Sequence, residues 1–231
     1  MMSGCGDKNQ DENLPLNLLA QYPVDIPGIS DLSLYKNDEF LTVSDTLGKI
    51  FVISITGDVI KSLNYSGEDL EGITFDLFDS SIFVVEEKNK EIVKLDINGN
   101  EFYRFPFEVN NIFEKHGPEG ISFNPVNDHL FVVNEKYPSL LVDMTLYGEV
   151  VDTNRLTFAK DYSAVFYDPL DGSLWILSEE SEILAKCDLS GNPVKRYITG
   201  IKKAEGLIVA SGVSRIYITS EQTNTLYVFS Y

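Results

Sequence analysis

Short apolar runs alternate with turn-forming residues along nearly the whole chain. Ile82-Phe83-Val84-Val85, Leu130-Phe131-Val132-Val133 and Leu174-Trp175-Ile176-Leu177 are rich in β-branched and aromatic residues and are bounded by turn formers. That pattern predicts buried strands. Asp168-Pro169-Leu170-Asp171-Gly172 and Asn98-Gly99-Asn100 supply the Pro, Asp, Asn and Gly that tight reversals require. No segment sustains a 3.6-residue period, so helix is expected to be nearly absent.

Laid against itself, the chain repeats. DLEGITFDLFDSSIFVVEEKNKEIVKLDINGNEF from Asp69, GPEGISFNPVNDHLFVVNEKYPSLLVDMTLYGEV from Gly117 and DYSAVFYDPLDGSLWILSEESEILAKCDLSGNPV from Asp161 align almost without gaps. Weaker copies start at Ser30 and Lys203. Five copies at a spacing of roughly 40 to 48 residues, each reading as four strands, predict the blades of an all-β, five-bladed β-propeller. Such repeats bury their faces only against one another. The last copy stops after its third strand, and Leu18-Leu19-Ala20-Gln21-Tyr22-Pro23-Val24 resembles the fourth strand that begins at Glu101. The N-terminal strand is therefore expected to pair with the C-terminal blade and close the ring, removing two sheet edges. Residues 17–231 then form one propeller domain, and residues 1–16 a flexible tether.

Composition narrows the partners. The 231 residues carry a formal charge of -18, which opposes a phosphate backbone or an anionic membrane surface, so nucleic acid is not an expected partner. No apolar run approaches the roughly 20 residues that span a bilayer. Ser3-Gly4-Cys5 has the order of the end of a bacterial lipobox, without the hydrophobic region that precedes one. This points to lipidation at Cys5 and to a monomeric periplasmic or outer-membrane lipoprotein that meets the membrane only through a lipid anchor. An ordinary polar tail with an incidental Cys is the alternative. Cys187, in a strand-like run, is expected to pack as a small buried hydrophobe.

Candidate chemistry follows from the repeat. Aligned, the copies put Ser33, Glu71, Glu119, Ser163 and Glu205 at the start of strand one, where they should ring the mouth of the central channel. Asp45, Glu87, Glu135, Glu179 and Glu221 stand after strand two, an acid in every copy. The offset between the two sets is 16 residues in four copies and 12 in the first, so both should reach one face. In one reading the second set anchors hairpin turns through backbone N–H groups, and the first pairs with cations such as Lys88 and Lys136. In the other, Glu71, Glu119 and Glu205 meet and hold a cation. Three carboxylates about 8 Å apart repel by roughly 2 kcal/mol per pair at an effective dielectric near 20, so a narrow channel calls for a counter-ion or raised pKa values. The donors on offer are carboxylates, Ser hydroxyls, Asn134 and backbone carbonyls, with no His or Cys cluster. That set suits calcium better than zinc.

The phrases DLEGITFD, PEGISFNPVNDHLFVVNEK, DYSAVFYDPLDGSLWILSEES and AEGLIV resemble, as a set, the SdiA-regulated family of bacterial propellers over about residues 17–231. The resemblance implies a secreted or membrane-tethered propeller with calcium in its channel and no assigned catalytic activity. It carries over to Glu71, Glu119 and Glu205 through their Glu-Gly phrases, and to Ser33 and Ser163 through Asp-Leu-Ser and Asp-Tyr-Ser. At those two starts Leu34 and Ala164 replace the family's Gly.

Three functions compete. The first is a non-enzymatic cell-envelope binding module with calcium at the channel, its ligand a protein, a glycan or a small molecule. The second is a metal-dependent, lactonase-like hydrolase using Glu71, Glu119, Asn134 and Glu205, which also needs a general base. His116, just before strand one of the third copy, could stand near the channel, whereas His129 falls in an opposite-face turn. The third is an aromatic docking platform built on Tyr137, Tyr147 and Phe113. No nucleophile elbow or Walker-type loop is present.

Overall fold

The structure, a computed structural model, describes residues 13–109 and 116–231. Five antiparallel sheets stand in a ring. The first blade is Ile29–Leu34, Glu39–Ser44, Lys49–Ser54 and Val59–Ser66. The second is Leu70–Asp76, Ser81–Glu86, Glu91–Leu95 and Glu101–Pro106, and the third Pro118–Asn124, His129–Asn134, Leu140–Thr145 and Val150–Arg155. The fourth runs Ala164–Asp168, Ser173–Ser178, Ile183–Cys187 and Pro193–Ile198. Ala204–Ala210, Arg215–Ser220 and Thr225–Ser230 make three strands of the fifth, and Asn17–Pro23 pairs antiparallel with Thr225–Ser230 as its outermost. A single 3₁₀ turn, Ser211–Val213, is the one helical element among the described residues.

The core lies between blades rather than within them, which explains the unbroken apolar runs of strand two. Ile82 and Val84 face back into a cluster with Leu41, Val43 and Val52 of the first blade. Phe83 and Val85 face forward into one with Ile121, Leu130 and Val132 of the third. A strand buried on both faces has no polar side to alternate with. Each such side chain contributes about 1.5–3 kcal/mol by leaving water. The outer strand Val150–Arg155 borders solvent and is almost wholly exposed. At the closing wedge Trp175 stacks on Tyr197, ring centroids 5.7 Å apart, and meets the edge of Tyr231 at 5.0 Å.

Residues 14–16, expected to lie in the tether, belong to the fold. Leu14–Pro15 pairs in parallel with Tyr197 and Ile198, adding a fifth strand to the fourth blade, and Leu14 and Leu16 pack on the adjoining core. Two leucines in three residues have apolar area to bury there, and the addition covers a sheet edge. Cys5 lies outside the described residues. Cys187 is buried, and burial pushes its thiol up to about 12.

Candidate functional site: an acidic cup at one end of the channel

The Glu-Gly phrases sit on β-bulges. In the second blade Leu70 pairs with Glu86 and Gly72 with Val85, and the register slips between them. Equivalent slips follow Pro118 in the third blade, Ala204 in the fifth and Ile29 in the first. A bulge re-aims the side chain that it carries, here Glu71, Glu119 and Glu205, toward the channel. The Gly that follows is a packing requirement. A Cβ on Gly72 would lie 2.2 Å from the Glu119 carbonyl oxygen, and one on Gly120 would lie 2.5 Å from Ala164 Cα.

The bulge corrects the first blade. Ser30, not Ser33, takes the position of the glutamates, and Asp31, not Leu34, takes that of the Gly. Ser30 stands 15 residues before Asp45, so this hairpin is one residue short rather than four. Ser33 is buried farther along the strand, where its hydroxyl accepts the Phe75 N–H at 3.0 Å and so joins two blades. The Asp-Leu-Ser phrase misled because strand pairing, not the nearest matching letters, sets the register.

A second device brings the two sets together. Asp45, Glu87, Glu135 and Glu221 each donate their backbone N–H, at 2.9–3.1 Å, to Gly28, Asp69, Gly117 and Lys203, two residues before the inner position. In the fourth blade the Asp161 carboxylate does similar work, accepting the Ser178 hydroxyl at 2.5 Å and the Glu180 N–H at 3.1 Å. The result is one cavity of about 290 Å³ lined by Ser30, Glu71, Glu119 and Glu205 of the inner set and by all five acids of the second. Ser163, in the one blade whose strand one pairs with strand two without a bulge, donates its hydroxyl to the Ala204 carbonyl at 2.8 Å. Asn134 is wholly buried outside the cavity, its amide donating to the Lys136 and Pro138 carbonyls.

Eight carboxylates thus share a cup with two basic side chains, Lys203 and His116. Lys203 lies 3.5 Å from Glu179 and 3.7 Å from Glu221. Burial works against its charge, but Glu179, Glu205 and Glu221 outweigh it and hold its pKa above the ordinary value. His116 Nδ1 is 2.5 Å from Glu135 Oε2, and Lys136 is 2.6 Å from Glu135 Oε1. Lys88 reaches out to Glu68, away from the inner set. Ser30 donates to Glu71 at 3.0 Å. Among the described residues the Glu119 carboxylate has neither a hydrogen bond nor an ion pair, only carboxylate neighbours, so charge crowds where compensation is least.

Burial is the main cause of the raised pKa values of Glu71, Glu87, Glu119 and Glu205. It pushes Glu119 well up, helped by Glu71 and Glu87, and Glu71 well up, helped by Glu205. Burial with Glu179 pushes Glu205 up to about 8, against the pull of Lys203. Burial with Asp69 and Glu135 pushes Glu87 up to about 7.

The acids closest to one another do not coincide with the trio of inner glutamates. Asp69, Glu71 and Glu87 bring carboxylate oxygens within 4.8 Å of one another, and so do Glu87, Glu119 and Glu135. Each set joins one inner residue to its neighbours, Glu87 belongs to both, and Glu205 to neither. Oxygens about 4.8 Å apart can both touch one ion at the roughly 2.4 Å of a calcium–oxygen bond. Without an ion, full charges at that spacing repel by roughly 3.5 kcal/mol per pair at an effective dielectric near 20. Asp69, Lys203 and the pairing of His116 with Glu135 escaped sequence reasoning because they stand in the entry loops, where the copies differ. The left-handed φ of +57° at Asp69 and +50° at Lys203 was the signal available only in three dimensions.

His129 pairs with Asp143 at 2.7 Å outside the cup. Of the aromatic candidates, Tyr137 leans on His116 with centroids 5.3 Å apart, Tyr147 stacks on Tyr103 at 5.8 Å, and Phe113 lies outside the described residues.

Among solved structures the chain is similar to the Myxococcus xanthus glutaminyl cyclase, at 13% identity and a TM-score of 0.72, over 94% of this chain and 97% of that one. It is also similar to a protein of unknown function from Bacteroides caccae, at 14% identity and a TM-score of 0.61, over 83% and 70%. A catalytically inactive virginiamycin B lyase from Staphylococcus aureus aligns at 15% identity and a TM-score of 0.59, over 90% and 82%. At such identities the likeness is one of fold. The sequence profile that matches is that of the SdiA-regulated family, over residues 19–230, and with nearly the whole propeller covered the chain belongs to that family.

Proposed function

We propose that this propeller is a binding module of the bacterial cell envelope that holds a hard divalent cation, calcium, in its acidic cup. The observation that carries this reading is the pair of three-carboxylate sets joined at Glu87. Oxygen-only donors at this spacing suit calcium, and a flexible coordination shell tolerates the irregular set. The cation would rigidify the entry loops at the channel mouth, leaving that face to bind a protein, glycan or small-molecule ligand. Lipidation at Cys5 would tether a monomer to the periplasmic face of a membrane.

Melting in chelator and in millimolar calcium tests the cation. The midpoint should rise with calcium, and Glu119→Gln should lose most of that rise. An identical midpoint in both conditions would leave a bare acidic ring.

The contact between His116 and Glu135 favours a second reading, a metal-dependent, lactonase-like hydrolase. An imidazole oriented by a carboxylate beside a metal site is a general base in form. A lactone and phosphoester screen with added calcium, manganese or zinc decides it. Turnover lost in His116→Ala would establish the hydrolase, and no turnover across the screen would remove it.

A further inference from the structure

The opposite end of the channel has the contrary chemistry. A cavity of about 290 Å³ opens there, formed by the second half of strand one in the first four blades and by the turn that follows it in the second, third and fourth. Ile73, Ile121 and Val165 line its deeper part, with Phe75, Phe123 and Phe166 farther along the strands. At the mouth stand Leu34, 41% exposed, Leu77, 67%, and Phe78, 73%. No lining residue carries a charge.

Its serine and threonine hydroxyl oxygens are already engaged as acceptors. The hydroxyls of Ser33, Thr74 and Ser122 accept the backbone N–H groups of Phe75, Phe123 and Tyr167 in the next blade at 2.8–3.0 Å. A charged ligand group entering here would give up its water and meet no charged side chain, which costs about 1–3 kcal/mol or more. Apolar surface entering gains about 25 cal/mol per Å². The volume is about twice that of an engineered apolar cavity that holds benzene, so it suits roughly a dozen carbon atoms.

We propose that this cavity is a second binding site, distinct from the acidic cup, which takes an uncharged apolar small molecule of about that size. A second copy of the chain seated on the same rim is disfavoured, because two bodies of charge -18 would be brought face to face. The two ends of one channel would then serve different ligands, a cation at one and a hydrocarbon at the other.

Naphthalene, a neutral fluorophore of ten carbon atoms, tests the site on the full chain. It should bind saturably, one per chain, with a Kd on the order of 10 µM, and be displaced by decan-1-ol. Leu34→Glu and Phe78→Asp alter exposed mouth residues, so the fold should persist by circular dichroism while affinity falls about tenfold or more. Val194→Ser, an exposed change on the outer strand of the fourth blade, should leave affinity unchanged. Absence of saturable binding, or equal affinity in the mouth variants, would overturn the proposal. So would a dimer in size-exclusion chromatography that Leu34→Glu dissociates, since that assigns the rim to a second copy.

Discussion

The carboxylate of Asp31 accepts the amide of Ile73 across the boundary between the first and second blades, Oδ2 to N at 3.1 Å. Its other oxygen accepts the Leu32 N–H at 2.8 Å. Amides of Ile121 and Leu207 also bear on it, so strand-one N–H groups from four blades converge on one buried side chain. Burial pushes its pKa well up, and those amides pull the other way. Asp31 occupies the first blade's counterpart of the Glu-Gly glycine, the one place in the ring where that position carries a polar side chain. Asp31→Ala should strip acceptors from buried amides and cost about 3 kcal/mol, read as a lower denaturant midpoint with an unchanged slope. An unaltered midpoint would mean that the amides are satisfied elsewhere.

The two serines of the first strand make opposite predictions. Ser33→Ala should leave the Phe75 N–H unpaired and cost about 1–3 kcal/mol, with calcium affinity unchanged. Ser30→Ala should cost little stability but alter calcium affinity, because it removes the donor to Glu71. Calorimetric titration of both variants checks the pair, and the reverse pattern would restore Ser33 to the cup.

Glu87 and Glu205 predict a pH dependence in metal-free protein. Their folded pKa values, about 7 and about 8, lie above the ordinary 4.5. Carboxyls raised in this sense contribute stability that is fully present below the unfolded value and is lost as pH rises through the folded one. In chelator the melting midpoint should therefore fall between about pH 4.5 and 8, and Glu205→Gln should make that fall shallower. Calcium should flatten it, because the ion favours the charged forms. A midpoint that climbs through this window in chelator would contradict the assignment.

Gly120 tests the packing around the axis. A Cβ there meets the backbone of Ala164 and Val165 at 2.5 and 2.7 Å, atoms that cannot swing aside. Gly120→Ala should cost about 1–3 kcal/mol or more, as overpacking does, and should weaken calcium binding because the adjoining Glu119 shifts. Gly212→Ala, whose nearest neighbour is a Leu170 side-chain atom at 3.6 Å, is the control and should be nearly neutral.

Much of this protein was legible in the letters. The apolar runs of strand two, the turn residues and the period predicted five four-stranded blades, because a strand buried between two neighbours must be apolar on both faces. The acids after strand two fell on one face because their offset from strand one repeats, and Glu71, Glu119 and Glu205 followed from their Glu-Gly phrases. Tertiary structure alone decided that Ser30 and not Ser33 joins them, since a bulge set by hydrogen bonding to the next strand moves the register without marking the sequence. It alone set Asp69 and Lys203 in left-handed turns beside the cup's acids and paired His116, expected near the channel, with Glu135. It also placed Asp31 on the axis, where residues from four blades become neighbours only once the ring has closed.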